Sequence, residues 1–323
     1  MRAPDFWRYG EGGPASLALT PLGWLYGAVG AVRWALARPW KAPVPVICIG
    51  NLVAGGAGKT PVALDFGTRL IAAGKAVHFL TRGYGGTERG PLMVYPAGHS
   101  SEAVGDEALL LAKLAPTWVA VDRKSGCLAA AAAGADIIIM DDGFQNPSVS
   151  KDLSVVVIDG GYGFGNGRMI PAGPLREPIT GGLKRCDAVV IIGDDGDVDF
   201  PYDHCPVIKG HMQAKPESQG LAGKPVVAFA GIGRPEKFFE TLATLGCDIR
   251  AAHAFADHRP FSVADLERLR QLAETQGALL VTTEKDAVRL PADFRAAVSV
   301  VAVSLVWDDE AAITGLLEKA LTL

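Results

Sequence analysis

An apolar run that leads directly into a glycine-rich turn constrains this chain more than any other feature. Residues 44–49 are predicted to form a buried strand, and residues 50–60 follow with the sequence GNLVAGGAGKT. A helical pattern over residues 59–73 begins at once. Glycines allow backbone N–H groups to face a phosphate, and the N-terminus of the helix adds its dipole. The order of strand, turn and helix therefore predicts an α/β domain with a phosphate-binding loop.

The predicted loop departs at one position from the strict pattern GxxxxGK[ST]. That pattern requires glycine at position 53, where this chain has Val53. The flanking strand and helix keep the context of the motif, although a glycine-rich turn with a surface lysine is the alternative. We predict that Lys59 reaches the β- and γ-phosphates of a nucleotide and that Thr60 binds Mg²⁺. The predicted nucleotide-binding residues are Val53, Ala54, Gly55, Gly56, Ala57, Gly58, Lys59 and Thr60.

Two acidic residues follow a second apolar run. Residues 136–143 have the sequence DIIIMDDG, which places Asp141 and Asp142 at the carboxyl end of a predicted strand. A nucleotide-bound Mg²⁺ lies at this edge of a parallel sheet. Paired aspartates on a turn are otherwise solvated turn formers, but together with Lys59 and Thr60 they predict a site for a nucleotide and Mg²⁺. The sequence leaves open which of the two aspartates contacts Mg²⁺.

Short apolar runs alternate with longer helical patterns in the first two thirds of the chain. Runs of four to six apolar residues without polar alternation are typical of a sheet that is covered on both faces. They predict strands at residues 44–49, 77–80, 118–121, 137–140, 155–159 and 188–192, with crossover helices at 59–73, 104–114 and 125–133. This order is typical of a doubly wound α/β domain similar to the P-loop NTPases.

The composition changes near residues 193–225, where glycine, proline and aspartate become frequent. The alternation then resumes, with strands predicted at 226–230, 249–254, 278–282 and 298–306 and helices at 235–245, 262–275 and from 309 onward. We therefore predict four segments. They are a membrane-associated N-terminal segment at 1–41, a nucleotide-binding domain at 42–205, a connector at 206–225 and a smaller C-terminal α/β domain at 226–323.

The N-terminal segment differs in character from the rest of the chain. Residues 12–32 carry no charge, and this length approaches that of a bilayer span. Prolines and five glycines interrupt the stretch, and six of the twelve Trp and Tyr residues lie before position 41. Amphipathic rings with flanking Arg33, Arg38 and Lys41 favour a shallow position on an anionic membrane surface. A helix that packs on the first domain and a secretory signal are the alternatives, although a signal requires small residues where Arg33 stands.

Charge and cysteine content exclude two classes of protein. There are 31 Lys and Arg residues against 35 Asp and Glu, a formal net charge of −4, which argues against a nucleic-acid partner. The five cysteines are scattered without a CxxC pair, so neither a zinc knuckle nor a disulfide framework is predicted. A reducing cytosol fits this cysteine usage best.

Three loop regions carry further candidate residues. Asp106, in the sequence VGDE, begins a predicted helix and has two interpretations, an N-cap or a catalytic group. His258 lies in the loop sequence DHRPF, where a surface histidine is the alternative to a catalytic one. Residues 165–178 are too long and too rich in glycine for a simple connection, and loops of this kind are usually functional.

Eight motifs in a fixed order carry a family resemblance. They are GNLVAGGAGKTP, TRGYGG, VGDE, DDGFQ, GNGRMIPAGPLREP, AGIGRPEKFF, FADHRPF and TTEKDAVRL. Over roughly residues 44–290 the chain resembles the tetraacyldisaccharide 4'-kinase family of lipid A synthesis, and its apolar N-terminus is also similar to that family. The resemblance implies ATP-dependent phosphorylation of the 4'-hydroxyl of a lipid A disaccharide 1-phosphate. It also implies a location at the cytoplasmic face of the inner membrane of a Gram-negative bacterium.

The resemblance implies roles for individual residues. Asp106 matches the proposed catalytic aspartate, His258 matches the histidine that pairs with it, and residues 176–177 match a segment near the reacting phosphates. The implied catalytic residues are Asp106, His258, Lys59 and Arg176, and the implied metal-binding residues are Thr60, Asp141, Asp142 and Glu177. Asn146 stands where family members commonly have His after DDGFQ, so we assign it no role in the site.

Phosphoryl transfer to a hydroxyl requires a proton acceptor as well as a nucleotide site. We expect Asp106 to take the proton, while His258 from the second domain orients the carboxylate or raises its basicity. Closure of the two domains is then expected. The alternative function is a membrane-associated switch ATPase of the deviant P-loop type. Those proteins have a second lysine in KGGxGKT, where this chain has Ala54, and this difference counts against the alternative.

Overall fold

The fold is that of a computed structural model, which describes residues 4–8, 10, 12–194 and 205–321. Residues 195–204, part of the predicted change of composition and the end of the predicted nucleotide-binding domain, lie outside the described residues. Residues 322–323, at the end of the predicted last helix, also lie outside them. Two sheets, one large and one small, organise the described chain. We call each sheet with its covering helices a unit.

The strands are β1 (Val46–Gly50), β2 (Val77–Thr81), β3 (Leu92–Met93), β4 (Thr117–Val119), β5 (Ile137–Asp141), β6 (Leu153–Asp159), β7 (Ala188–Ile192), β8 (Val207–Ala214), β9 (Pro225–Ala230), β10 (Asp248–Ala254), β11 (Leu279–Thr283), β12 (Val298–Val301) and β13 (Val303–Trp307). The α-helices are α1 (Pro14–Leu36), α2 (Lys59–Ala72), α3 (Ser101–Val104), α4 (Asp106–Leu111), α5 (Arg123–Ala132), α6 (Ile179–Leu183), α7 (Pro235–Thr244), α8 (Val263–Thr275), α9 (Glu284–Ala287), α10 (Ala292–Ala296) and α11 (Glu310–Leu321). Short 3₁₀ helices span Asp5–Trp7 and Pro216–Leu221.

The large sheet has nine strands in the order β13-β8-β7-β6-β1-β5-β2-β4-β3. Strand β1 pairs in parallel with β5 on one side and β6 on the other, and all five of its residues are buried. Helix α2 covers one face through Val62 and Phe66, and α5 covers the other through Cys127 and Ala130. A parallel sheet covered on both faces confirms the predicted doubly wound α/β fold.

The membership of the large sheet differs from the predicted division of the chain. Strand β8 begins at Val207, inside the expected connector, and pairs in parallel with β7. Strand β13 pairs antiparallel with β8, and α11 packs Ile313 and Leu316 into the core of the large sheet. The end of the chain thus returns to the large sheet instead of completing the smaller domain. Because β8 lies near the sheet edge and is buried only at alternate positions, it lacks the continuous apolar run that predicted the other strands.

The small sheet has the order β10-β9-β11-β12, and its strands are all parallel. On one face, Val227 and Phe229 of β9 pack with Leu269 of α8. On the other face, Phe238 and Leu242 of α7 pack against the same strand. This three-layer unit confirms that a second, smaller α/β core follows the first.

Helix α1 contacts the rest of the protein along a narrow stripe. It is 23 residues long and is long and apolar enough to cross a membrane, judged by length and composition. Its buried residues are Ser16, Gly23 and Gly27, and a Cβ on Gly27 would lie 2.7 Å from the methyl group of Met169. Its exposed large apolar residues are Leu17, Leu22, Trp24, Leu25, Tyr26, Val29, Val32 and Leu36. Packing on the first domain therefore accounts for one stripe of this helix and leaves a broad apolar face exposed.

Candidate active site

The phosphate-binding loop joins β1 to α2 where the order of strands in the large sheet changes direction, which is the usual ligand site of such sheets. Gly58 precedes α2 with a φ of +86°, and a Cβ there would lie 2.6 Å from Ile192 Cδ1. Glycine is therefore required at this position. Lys59 is the first residue of α2 and is only 8% exposed. The N-terminus of α2, preceded by a glycine without a side chain, fits the phosphates of ATP.

Val53 replaces the expected glycine because its side chain is part of the core. It is buried with Leu52 and Leu175 in one apolar cluster, and its backbone forms a β-bridge with Leu175. The next residue, Ala54, donates its N–H to the carbonyl oxygen of Pro174 at 2.8 Å. The long loop 165–178 thus supports the phosphate-binding loop from outside. Position 53 adopts no left-handed turn that would require glycine.

Asp141 ends β5 beside the first turn of α2. Its Oδ2 accepts a hydrogen bond from Thr60 Oγ1 at 3.0 Å, whereas its buried Oδ1 has no hydrogen-bond partner. Burial and the nearby Glu107 carboxylate raise the pKa of Asp141 to about 7, although Lys59 opposes them. A buried carboxylate oxygen without a partner, next to a hydroxyl group, fits Mg²⁺, which prefers oxygen ligands and would compensate the charge.

Asp142 has the opposite electrostatic surroundings. Its backbone is left-handed, with a φ of +55°, which is uncommon for a residue other than glycine. Its Oδ1 accepts a hydrogen bond from Arg176 at 2.7 Å and lies 3.6 Å from Lys59 Nζ. Burial alone would raise its pKa, but Lys59 and Arg176 lower the pKa of Asp142 to about 2. The structure therefore brings together Lys59, Asp142 and Arg176, which were all predicted to lie near the phosphates.

Glu177 lies apart from this acidic pair. Its Oε2 forms an ion pair with Arg185, and its Oε1 accepts a hydrogen bond from Gln145 Nε2 at 3.0 Å. Across residues 4–194 and 205–321, as far as they are described, no three His, Cys, Asp or Glu side chains form a group that could hold a metal ion. This geometry does not support the predicted metal-binding role of Glu177. Gln145, which the sequence motifs assigned no role, also lies 3.4 Å from Arg176 through its Oε1.

Asn146 occupies the turn that follows the acidic pair. Its Oδ1 accepts hydrogen bonds from Ser148 N at 2.9 Å and from Ser148 Oγ at 2.6 Å. Lys151 Nζ donates to its carbonyl oxygen. These contacts are those of a turn residue.

Asp106 and His258 come together from distant parts of the chain. Asp106 is 3% exposed in the first turn of α4, and His258 lies in the loop after β10 of the small-sheet unit. The His258 Nδ1 atom is 3.1 Å from the Asp106 carboxylate. The N-cap of α4 is Gly105, so the N-cap interpretation of Asp106 is wrong. His258 has a φ of +58°, and such uncommon backbone conformations occur preferentially at functional sites.

Two cations that were assigned no role also surround the Asp106 carboxylate. Lys285 Nζ lies 3.3 Å from His258 Nε2 and 4.0 Å from Asp106 Oδ2, and Arg289 Nε lies 3.8 Å from Asp106 Oδ2. Lys285 also forms ion pairs with the carboxylates of Glu107 at 3.5 Å and Asp257 at 3.4 Å. One feature of the sequence could have indicated these two cations. Lys285 and Arg289 are four residues apart in TTEKDAVRL, a spacing that places both side chains on one side of a helical segment.

The charges around Asp106 stabilise its ionised form. Burial alone would raise its pKa, but the hydrogen bond from His258 and the charges of Lys285 and Arg289 lower the pKa of Asp106 below its ordinary value. Burial would likewise lower the pKa of Lys285, but the neighbouring carboxylates, Glu107 first, raise it. The cluster thus holds an ionised carboxylate where the two sheet units meet. A general base requires that ionisation state.

A second contact between the two units lies beside the phosphate-binding loop. Asp159, buried at the end of β6, forms ion pairs with Arg234 at 2.5 Å and with Lys237 at 2.8 Å. Gly233 approaches the loop so closely that a Cβ there would lie 3.1 Å from the backbone nitrogen of Gly56. A cleft opens here, lined by residues 53–57 on one side and 254–257 on the other. Its position fits a nucleotide that extends from the loop toward the small-sheet unit.

Comparison with known proteins agrees with this geometry. Residues 15–322 match the family described as Tetraacyldisaccharide-1-P 4'-kinase. A tetraacyldisaccharide 4'-kinase of Paramagnetospirillum magneticum is 54% identical over 322 residues, which are 99% of this chain and 98% of the relative. The protein of the same name from Gluconacetobacter diazotrophicus is 51% identical over 320 residues, which are 98% of each chain.

The fold is also similar to a solved structure. The crystal structure of LpxK from Aquifex aeolicus in complex with ATP matches with a TM-score of 0.76 and 27% sequence identity, over 94% of this chain and 99% of that one. These similarities span both sheet units. The resemblance indicated by the ordered motifs is confirmed, and the chain belongs to the tetraacyldisaccharide-1-P 4'-kinase family.

Proposed function

We propose that this protein transfers the γ-phosphoryl group of ATP to the 4'-hydroxyl of a tetraacyldisaccharide 1-phosphate in lipid A synthesis. The observation that carries the proposal is the contact between Asp106 and His258. Asp106 is a buried carboxylate that can accept the proton of a hydroxyl group. It is separate from the acidic pair at the phosphate-binding loop. Membership of the kinase family supports the same reaction.

The large-sheet unit supplies the nucleotide site in this proposal. Residues 53–60 bind the phosphates, and Lys59 and Arg176 place positive charge beside the group that is transferred. The Thr60 hydroxyl and Asp141 hold Mg²⁺, because Asp141 has the unpartnered oxygen, and Asp142 completes the acidic pair. Mg²⁺, when bound, neutralises charge on the β- and γ-phosphates.

The proton of the 4'-hydroxyl passes to Asp106 in this proposal. Its Oδ1 accepts hydrogen bonds from His258 and from the backbone N–H of Glu107. Its Oδ2 is buried and accepts no hydrogen bond, although it also lies 3.1 Å from His258 Nδ1. Oδ2 is therefore the acceptor, and His258 orients the carboxylate. Because Asp106 and His258 belong to different units, the base is complete only when the two units lie together.

Helix α1 brings the site to the lipid substrate in this proposal. A disaccharide with several acyl chains stays in the bilayer, so the enzyme must bind the membrane surface to reach it. The exposed apolar face of α1, which includes Trp24 and Tyr26, suits a shallow position in the interface. Arg33 in the last turn of α1, with Arg38 and Lys41 after it, supplies the cations that would meet lipid phosphates. We place the protein peripherally at the cytoplasmic face of the bacterial inner membrane.

The proposed reaction is tested with purified protein, γ-labelled ATP, Mg²⁺ and disaccharide 1-phosphate lipid in detergent micelles. We expect label in the lipid after thin-layer separation, and its loss in the Lys59→Ala variant. Label that appears only as free phosphate, with or without lipid, would contradict the kinase assignment and support a switch ATPase.

A further inference from the structure

Lys285 touches both members of the Asp106–His258 pair but has no part in the reaction described above. We propose that Lys285 is a positioning residue, which binds His258 Nε2 and thereby keeps the imidazole proton on Nδ1, where it donates to Asp106. The inference rests on the proposed function, because it concerns the two residues assigned there to proton transfer.

An ammonium group can only donate hydrogen bonds. Lys285 Nζ lies 3.3 Å from His258 Nε2, so in a hydrogen bond between them Nε2 is the acceptor and carries no proton. A neutral imidazole then has its proton on Nδ1, which lies 3.1 Å from Asp106 Oδ1 and donates to it. Both hydrogen bonds form together only in this tautomer. With its proton fixed in this way, the ring donates to the Asp106 carboxylate, both oxygens of which lie 3.1 Å from Nδ1.

Asp257 is the neighbour that would favour a proton on Nε2 instead. Its Oδ2 lies 3.6 Å from His258 Nε2, farther than Lys285 Nζ. Its Oδ1 lies 3.4 Å from Lys285 Nζ, so its charge is directed to the lysine as well as to the ring. The distances therefore favour Lys285 over Asp257 as the partner of Nε2.

Charges reach the imidazole from every segment packed around it. Helix α4 and the loop after β10 supply the carboxylates, α9 and the turn that follows supply the cations, and the ring of Tyr84 lies with its centroid 5.2 Å from that of the imidazole. The charged groups are Asp106, Glu107, Asp257, Lys285 and Arg289. Lys285 lies within 4.0 Å of all three carboxylates, and it contacts the imidazole as well. The ammonium is therefore the group that keeps a proton away from Nε2.

The tautomer is measured by ¹⁵N NMR of the full-length protein labelled at the histidine nitrogens. A His258→Gln variant assigns the signal. We expect wild-type protein near neutral pH to show the proton on Nδ1. In Lys285→Met, which keeps the length of the side chain but removes its donors, we expect Nε2 to become protonated. A proton on Nε2 in the wild type, or a signal that Lys285→Met leaves unchanged, would overturn the proposal.

Kinetics give a second readout. In Lys285→Met we expect kcat near neutral pH to fall about 10–100-fold, the size of effect seen when a supporting hydrogen-bond partner is lost. The KM for ATP should change less than about twofold, because the lysine acts on the proton acceptor. The variant also loses one of the charges that lower the pKa of Asp106, so the acidic limb of the kcat profile should move to higher pH.

Two variants test whether Lys285 positions His258 or only forms an ion pair that joins the two units. Lys285→Arg keeps a donor-only cation and should return the acidic limb toward the wild-type position. Lys237→Met removes another lysine that joins the two units, through Asp159, and should leave both the limb and the histidine signal in place. A uniform loss of rate at every pH in Lys285→Met, with no rescue by arginine, would contradict the proposal.

The NMR measurement requires no turnover. A wild-type protein that shows the Nδ1 tautomer but transfers no label to lipid would therefore disprove the kinase function alone. A wild-type kinase with the other tautomer would disprove the role of Lys285 alone.

Discussion

Two carboxylate regions of this protein are built in different ways. Asp141 and Asp142 are consecutive residues at the end of β5, and their partners lie in the first turn of α2 and in loop 165–178, against the same sheet. Asp106 instead meets His258, which is 152 residues away and belongs to the other unit. The first region is complete within one unit, whereas the second exists only where two units meet. We therefore expect phosphate and Mg²⁺ binding to depend on the large-sheet unit and proton transfer to depend on the contact between the two units.

The two regions also differ in how their charges are balanced. Burial raises the pKa of Asp141 to about 7, so this carboxylate lacks a compensating cation in the protein alone. Despite burial, His258 and Lys285 hold the pKa of Asp106 below its ordinary value. In the first region Asp141 is thus the carboxylate that an external cation would compensate, whereas Asp142 and Asp106 are balanced by the protein's own groups.

The largest effect is expected at the junction of the units. Asp106→Asn keeps the size of the side chain but removes the proton acceptor, so kcat should fall about 10²–10⁴-fold. Equilibrium binding of ATP should stay within about twofold of wild type, because the nucleotide region is complete without Asp106. Turnover with labelled ATP and titration of nucleotide binding measure the two quantities. Loss of both together would show that the regions are not separable.

The converse substitution lies in the nucleotide region. Asp141→Asn removes the buried carboxylate that we assign to Mg²⁺, so the apparent affinity for Mg²⁺ should fall by about 10–100-fold or more. At saturating Mg²⁺ the acidic limb of the pH profile, which we assign to Asp106, should stay where it is. Titration of activity with Mg²⁺ at several pH values tests both statements. An unchanged Mg²⁺ dependence would remove Asp141 from the metal site.

A third substitution separates the lipid from the nucleotide. Trp24 is 67% exposed on α1, and Trp24→Asp should raise the apparent KM for lipid in micelles about tenfold, because burial of one aromatic ring contributes roughly 1.5–3 kcal/mol. The KM for ATP should not change. Tyr95→Asp alters a similarly exposed ring after β3 and serves as the control. Equal changes in both KM values would indicate that α1 only stabilises the fold.

A smaller effect concerns stability without Mg²⁺ and nucleotide. The folded protein binds a proton at Asp141 more tightly than the unfolded chain does, since the pKa is raised from 3.8 to about 7. Stability should therefore decline as pH rises between these two values and then level off. Asp141→Asn lacks this decline and should melt a few degrees higher than wild type at pH 8, with a smaller difference at pH 5. Thermal unfolding at both pH values measures the effect, and an equal difference at both would contradict it.

The smallest effect is expected at Glu177. Because this carboxylate is bound to Arg185 and Gln145, Glu177→Gln should change the Mg²⁺ dependence of activity by less than about twofold. The measurement is the same Mg²⁺ titration that is used for Asp141→Asn, so the two variants form a matched pair. A loss as large as that in Asp141→Asn would restore Glu177 to the metal site.

The contrast between the regions also explains what the sequence could predict. Lys59, Thr60 and the two aspartates belong to short motifs at the ends of adjacent parallel strands, so their proximity follows from local pattern and sheet geometry. Proximity of Asp106 and His258 was predicted by family resemblance. Lys285 was missed because no local pattern shows which side chain of one unit will face a given residue of the other.

Two further predictions differ from the arrangement in the structure. The family resemblance placed Glu177 with the metal, in the same segment as Arg176, but Arg176 contacts Asp142 and Glu177 contacts Arg185. Adjacency in the chain therefore does not imply adjacency in the site. The return of β13 to the large sheet was missed because apolar pattern predicts that a strand forms but not which strand it pairs with.

The segment that supports the phosphate-binding loop also holds α1. Gly27 packs on Met169, and a few residues later Leu175 forms the bridge to Val53. Between these contacts the segment folds back on itself, since Met169 bridges Leu175 and the N–H of Ile170 donates to the Leu175 carbonyl at 2.9 Å. A membrane that holds α1 would thus be joined to the nucleotide site through a closed turn and not through a flexible tether. In that arrangement the fold itself would set the distance between the lipid surface and the phosphate-binding loop.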